Sequence, residues 1–443
     1  MRQLLFLVAG LVLACGHGND PATGSGSSSG ATTMPTAPAG GSSTASTGSA
    51  GTGSAGSADP GAGSGSAVAT SDNRTNPDAG HTPAPPPTEG HDFTPIAKNL
   101  LSVGACGEGV VPEGFPTKLL DDHCKDIKKA QDGYLEKWVK PAEAFFTQHV
   151  PKDIPKKVVY PFAGGDLSTA LTVYPDADEI TTMSLEPAGD PRTLGALKGK
   201  ELEAALGKIR YELNFLYRVN FSNTLNMIAA MRGGRLPTNL VFSLSALKIH
   251  GYEVMNLRYF KLNDDGTIHY LDEDDVKKAP ELTASAEKRN RVFANVELQF
   301  RKPGGRTQIY RHIQTNLDND HTKNDARVLK HLELKGDVSA MTKAASYLLS
   351  WDSFSNVRDY LIKHVQWMVS DATGIAPKWG KSAGFDYETF GTFEGPHISA
   401  GNGISKDWRT EFESEEKRPL GFRFGYYDKH SRDHLIIIKK KKS

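Results

Sequence analysis

Apolar residues are distributed unevenly along the chain. After Arg2 comes an apolar run from Leu4 to Leu13, broken only by Ala9 and Gly10. It is too short to span a bilayer and has the place and length of a signal-peptide core. Residues 16–91 then carry Gly, Ser, Ala, Thr and Pro with almost no large apolar side chain. Such a segment cannot bury enough surface to offset its ordering entropy, so a disordered tether is expected there. As a flexible coil it would span roughly 50 Å. From Phe93 onward the pattern becomes globular, and residues 92–443 are long enough for one large or two closely joined domains.

Within that region the periodicities change several times. Ile127, Ala130, Tyr134, Leu135, Trp138, Phe145 and Phe146 recur at helical spacing, with Pro141 interrupting, which predicts two helices or one kinked helix. Residues 157–166 begin as a β-branched apolar run and stop at the pair Gly164-Gly165. A helix is predicted over 167–173, a turn over 175–178, and a second strand over 179–185 that ends at Glu186. Strand, glycine turn, helix and strand form a βαβ unit. Helices are predicted over 201–217, from Ser222 to Met231, and between Pro237 and Gly251. Residues 252–262 alternate as a strand, turn at 263–266 into 267–271, and are followed by a hairpin of 292–301 with 307–315. Helices at 340–349 and 354–369 and a last strand at 435–438 complete the pattern. The expected fold is α/β: a three-layer, Rossmann-like, mostly parallel sheet with added helices and antiparallel hairpins, its core at about 155–320.

Charge narrows the function. Basic and acidic residues balance at 52 each, so there is no electrostatic case for nucleic acid. The one dense basic run, Lys439 to Lys442, reads as a solvated tail. The apolar run near the start ends in Val12-Leu13-Ala14-Cys15. This resembles the lipobox of bacterial lipoproteins, which implies cleavage after residue 14, lipid on Cys15 and a membrane partner through that lipid. Gly16 rather than Asp follows the cysteine, which favours the outer membrane, on its periplasmic or surface face. Only Cys106 and Cys124 remain, and in an oxidising compartment they are expected to pair. Closing such a loop contributes about 3 kcal/mol on the chain-entropy account.

The chemistry concentrates in the βαβ unit. Gly164, Gly165 and Asp166 after the first strand, with Glu186 closing the second, resemble a Rossmann-like nucleotide site. In such a site the glycines admit a ligand to the backbone, and the acid holds ribose hydroxyls. The nearest pattern is that of class I S-adenosylmethionine-dependent methyltransferases, whose sheets also carry a late antiparallel hairpin, here expected at 292–315. These four residues are therefore candidates for a nucleotide-like ligand, although no resident cofactor is expected outside the cytoplasm. Asp166 has an alternative role as cap of the helix that follows. The motifs Tyr160-Pro161-Phe162-Ala163-Gly164-Gly165-Asp166 and Leu185-Glu186-Pro187-Ala188-Gly189 together also resemble a family of bacterial envelope proteins that carries them, and that family implies no activity.

Other motifs fail on their spacing. Residues 374–382 imitate a phosphate loop, but the spacing is one residue too long, Pro377 removes an amide, and a helix is expected before it. Asp318-Asn319-Asp320 starts like a calcium loop, yet Lys323 and Leu329 stand where a glycine and a glutamate are needed. His430 and His434 could share a helical face with nothing to complete a metal site, and Asp272 to Asp275 reads as a solvated loop. Trp351, with Asp352 and Arg358, reads as core plus a structural ion pair. No catalytic residue or metal site is assigned. The leading expectation is a non-enzymatic envelope lipoprotein that binds a small-molecule or protein partner. A transferase with a degenerate methyltransferase-like site and a structural envelope protein are the alternatives.

Overall fold

Strands β1 (Lys157–Pro161) and β2 (Glu179–Ser184) are the centre of the molecule. The structure, a computed structural model, describes residues 89–220, 236–396, 403–426 and 433–441. Cys15, the tether up to residue 88, the helix expected from Ser222 to Met231, His430 and Lys442 lie outside the described residues, whereas His91, expected in the tether, donates its amide to the Leu271 carbonyl. Ahead of β1 come α1 (Thr94–Val103), α2 (Thr117–Tyr134) and α3 (Lys140–His149). A π-helical turn, Leu135–Val139, joins α2 to α3, so of the two expected forms the chain takes the single irregular helix, with Pro141 in the first turn of α3. Cys106 and Cys124 are bonded, with an S–S distance of 2.08 Å.

β1 runs through the glycine turn into α4 (Leu167–Val173) and then to β2. A long excursion follows. It contains α5 (Gly199–Val219), α6 (Thr238–Ile249), β3 (Glu253–Leu262), β4 (Ile268–Tyr270) and β5 (Asn295–Arg301). The chain rejoins the parallel sheet at β6 (Gln308–Gln314), crosses to β7 (Val338–Thr342), and continues through α7 (Ser355–His364) to β8 (Val365–Ser370). β9 (Phe385–Gly391), α8 (Ile404–Ser414) and β10 (His434–Lys440) end it.

The ten strands make one sheet in the order β4-β3-β5-β6-β2-β1-β7-β8-β10-β9. From β6 to β8 the neighbours are all parallel. Taken in chain order, those five strands lie 3-2-1-4-5, the doubly wound arrangement. β10 is antiparallel to both β8 and β9. The parallel sheet therefore extends well past residue 320, where the sequence pattern had ended its core. The late antiparallel element is β10, whereas the hairpin β5–β6 attaches the excursion to the opposite side of the sheet.

Two further expectations fail here. Residues 340–349 form no α-helix, because Val338–Thr342 is a buried strand and only a 3-10 turn begins at Leu348, and 354–369 split into α7 and β8. Short apolar runs buried on both faces lose the period of two and cannot be told from helix by pattern alone. A strand, not a helix, consequently precedes Gly374, although Pro377 still opens only a four-residue helix there. Asp272 is an N-cap for the short helix Glu273–Lys277 rather than part of a loop, Val292 ends the helix Ala286–Val292, and His434 lies on a strand.

Alternation along the strands sorts the core into two layers. Val158, Tyr160, Met341, Val369 and Ile437 pack with Ile127, Trp138, Leu213 and Leu240 on one face. Val159, Ala340, Met368, Ile436 and Ile438 pack with Val357, Leu361 and Trp408 on the other. The helix α6 is buried on every side from Thr238 to Leu247, as expected of a helix apolar all round.

Candidate functional site

In a doubly wound sheet the ligand crevice lies outside the carboxyl ends of the strands where the order reverses. Here that switch point falls between β1 and β7. Backbone strain marks the same edge. Among the described residues six non-glycine residues have positive φ, and four of them, Phe162, Ala344, Ser346 and Tyr347, follow β1 or β7. Such conformations persist only where the surroundings impose them, and they collect at functional sites.

After β1, Phe162 (φ 61°) and Gly164 (φ 56°) turn the chain toward α4. The Ala163 amide donates to the Met183 carbonyl at 3.0 Å, which ties the turn to the end of β2. Gly164 thus has a conformational reason to be glycine whatever binds nearby. Asp166 is the N-cap of α4: its Oδ1 accepts from the Thr169 amide (3.3 Å) and the Thr169 hydroxyl (2.8 Å). Its Oδ2 accepts from the Tyr160 hydroxyl (3.0 Å) and faces the Lys343 Nζ at 2.6 Å. The two side chains are 2% and 0% exposed. Lys343 also donates to the Thr169 hydroxyl. Burial pulls the Lys343 ammonium below its ordinary pKa, and Asp166 opposes that pull. Burial and then Asp166 push the Tyr160 hydroxyl well above its usual range.

The strained loop after β7 is satisfied in the same way. The Ala344 amide donates to Asp371 Oδ2 (2.8 Å), the Ala345 amide to the Thr373 hydroxyl (3.1 Å), and the Ser346 amide to the Tyr426 hydroxyl (2.8 Å). A helix N-terminus and a run of turned amides are the two places where such a sheet ordinarily receives phosphate. In this chain two of its own carboxylates, Asp166 and Asp371, stand there.

Glu186 is the opposite case. It is fully buried just beyond the end of β2, and neither carboxylate oxygen has a hydrogen-bond partner. Only its backbone is engaged, the carbonyl accepting from His312 Nε2 at 2.7 Å. The hydroxyls of Ser184 and Thr342, the last residues of β2 and β7, are buried without partners as well. A cleft of about 410 Å³ opens beside Leu185, walled by Leu262, Ile313 and Val328 and rimmed by Asn295, Gln314 and Arg327.

The four expected site residues therefore divide. Asp166 is committed to the cap and the ion pair, Gly164 and Gly165 build the turn, and Glu186 alone keeps unused acceptors. Lys343, Asp371 and Tyr426 were not anticipated. Trp351 is 41% exposed rather than core. Arg358 donates to the carbonyls of Leu349 and Trp351 and stacks over Trp379, with Asp352 at 4.0 Å. Asp318 caps the short helix Asn319–Asn324 through the His321 amide instead of opening a cation loop. Among the described residues no group of three or more His, Cys, Asp or Glu could hold a metal ion. The chain matches no known protein-family model, no curated protein and no solved structure.

Proposed function

We propose that this chain is a lipid-anchored bacterial envelope protein whose folded region is a binding module, not a catalyst. Its ligand is neutral or cationic and rich in hydroxyl or amine donors, of the nucleoside type, held at the carboxyl edge of the sheet. One observation carries this reading: Glu186 presents two buried carboxylate oxygens with no donor. An unmade hydrogen bond at a buried polar group costs about 1–3 kcal/mol, so the ligand is expected to supply the donors. Asp166 and Asp371 hold the amides that phosphates would use, which disfavours recognition through phosphate.

A thermal-shift panel tests the reading. Adenosine, guanosine, cytidine, adenosylmethionine and adenosylhomocysteine are compared with ATP and NAD. A ligand at a hundred times its dissociation constant stabilises by about 2.7 kcal/mol. At least one phosphate-free compound should raise the melting temperature, its phosphorylated counterpart should do no better, and Glu186→Gln should abolish the shift. A panel without any response sinks the proposal.

A second reading, a transferase with a methyltransferase-like sheet, draws on one feature, the antiparallel β10 inserted beside β8. It calls for adenosylmethionine and adenosylhomocysteine to outperform adenosine in that panel. The anchor is tested separately. Cys15→Ser should move the exported protein from the detergent phase to the aqueous phase in Triton X-114 partitioning, and unchanged partitioning would reject lipidation.

A further inference from the structure

A larger cavity, of about 800 Å³, lies between α2, the π-helical turn and α5. That volume is within the range of small-molecule sites. From it we infer a second binding site, independent of Glu186, for an anionic ligand carrying a ring that can lie on an aromatic face.

Three features built by different parts of the chain converge on it. Tyr134 and Trp138 line the cavity as a stacked pair, with ring centroids 5.3 Å apart and planes 7° from parallel, and Tyr217 lies 5.0 Å from Tyr134. The π turn beginning at Leu135 is the local device beside this pair, and such turns are frequent at functional sites. Gly133, also on the lining, sits inside a helix, where glycine is disfavoured against alanine. A Cβ added there would meet nothing within 4 Å, so packing does not demand the glycine and the cavity wall is left bare. Asn220, 3% exposed and on the same lining, receives the Tyr134 hydroxyl on Oδ1 at 3.1 Å, while its Nδ2 has no partner.

The polar groups set the ligand's charge. Asn220 Nδ2 is an unused donor, and Lys129, Lys137 and Arg218 add positive charge to the wall, where Arg423 donates to the Arg218 carbonyl. Among the described residues Asp126 is the only acid on it, 3.9 Å from Arg210. An unused buried amide donor beside an excess of positive charge calls for an acceptor-rich, negatively charged partner, and the aromatic pair calls for a flat or ring-shaped face. This is the reverse of Glu186, whose two side-chain oxygens lack donors, so the two sites take different ligands. Two sources share the chemistry, acidic sugars of the envelope and free aromatic carboxylates.

The test uses 8-anilinonaphthalene-1-sulfonate with the folded full chain, beside the uncharged N-phenyl-1-naphthylamine. The sulfonate should bind saturably, one per chain, and the uncharged analogue about tenfold more weakly or worse, as expected for losing one charge-assisted contact. Gly133→Phe, which fills the wall, and Lys137→Glu, at an exposed position, should each weaken the sulfonate about tenfold on the same scale. Glu186→Gln should leave it unchanged, so this result and the nucleoside panel fail or succeed separately. Displacement by glucuronate points to acidic sugars and displacement by indole-3-acetate to aromatic carboxylates; either supports the site. Equal binding of the uncharged analogue, unchanged binding in Lys137→Glu, or displacement by neither compound overturns it. Should Gly133→Phe fail to fold, Lys137→Glu alone decides.

Discussion

Asp166→Ala is expected to lower the unfolding free energy by about 3–5 kcal/mol, the range for breaking a buried ion pair from one side. Loss of a helix cap alone would cost about 1 kcal/mol. The larger figure follows from Lys343, which is 0% exposed and keeps the Thr169 hydroxyl as a direct hydrogen-bond partner, with only the more remote Asp371 charge and the Trp138 and Phe424 rings beside it, when its carboxylate partner is removed. Its ammonium must then lose its proton or draw in water, and both cost free energy. Asp166→Ala combined with Lys343→Met should recover part of the loss, because the stranded charge is gone. Urea unfolding of the two single variants and the double variant measures this. A single-variant loss near the cap value, or strictly additive losses, would show that the pair is not sealed from solvent as the structure has it.

Acidification should destabilise the fold in a window set by buried histidines. Burial is the first cause that takes His123, His312 and His331 each down to about 4. All three are buried, and the neutral rings each donate their one N–H, to the carbonyls of Gly104, Glu186 and Gly266. The unfolded chain titrates near the ordinary 6.5, so between that value and about 4 it binds more protons than the native state. Stability is thus complete above the upper value, falls as pH drops through the window, and has no further histidine loss below it. On the order of 2–3 kcal/mol per histidine follows from the depth of the shifts. Glu179 acts lower: burial would raise its carboxyl, but Lys335 and Arg311 hold it far below the ordinary range, so its contribution is lost only in stronger acid. Urea midpoints at pH 7.5, 5.5 and 4.5 should fall steadily, and His312→Asn should be less stable at pH 7.5 but have a shallower slope. A flat profile across that window would contradict neutral, sealed histidines.

Much of this architecture is visible in residue order. The run Lys157 to Tyr160 before a glycine pair, and the run Glu179 to Ser184 before Glu186, identify the first two parallel strands because each is short, apolar and closed by a turn. The excursion is legible in part: α5 has one apolar stripe, but the short helices Glu273–Lys277 and Ala286–Val292 carry no apolar period and were not expected. The far half of the sheet is hidden. Val338–Thr342 and Val365–Ser370 are buried on both faces, so no period separates them from helix. With β7 misread as helix, Lys343 could not be seen at the carboxyl edge, and Asp166 was left as either a cap or a ligand contact with no cation to settle it. The cavity beside Gly133 depends on two helices far apart in sequence, and a helical glycine does not reveal what its bare face confronts. Glu186 was legible for a simple reason: a carboxylate ending a second parallel strand has a fixed place on the sheet edge wherever the rest of the chain goes.

The central claim is that Glu186 is held without donors for a ligand to satisfy, and unfolding of Glu186→Leu beside wild type tests it most directly. If the claim holds, the ligand-free variant gains about 1–2 kcal/mol, because a buried polar group without partners is replaced by an apolar one of similar size. The same variant should show no melting shift with the compound that stabilises wild type. A ligand-free variant that is less stable than wild type, or one that still responds to that compound, would contradict the account.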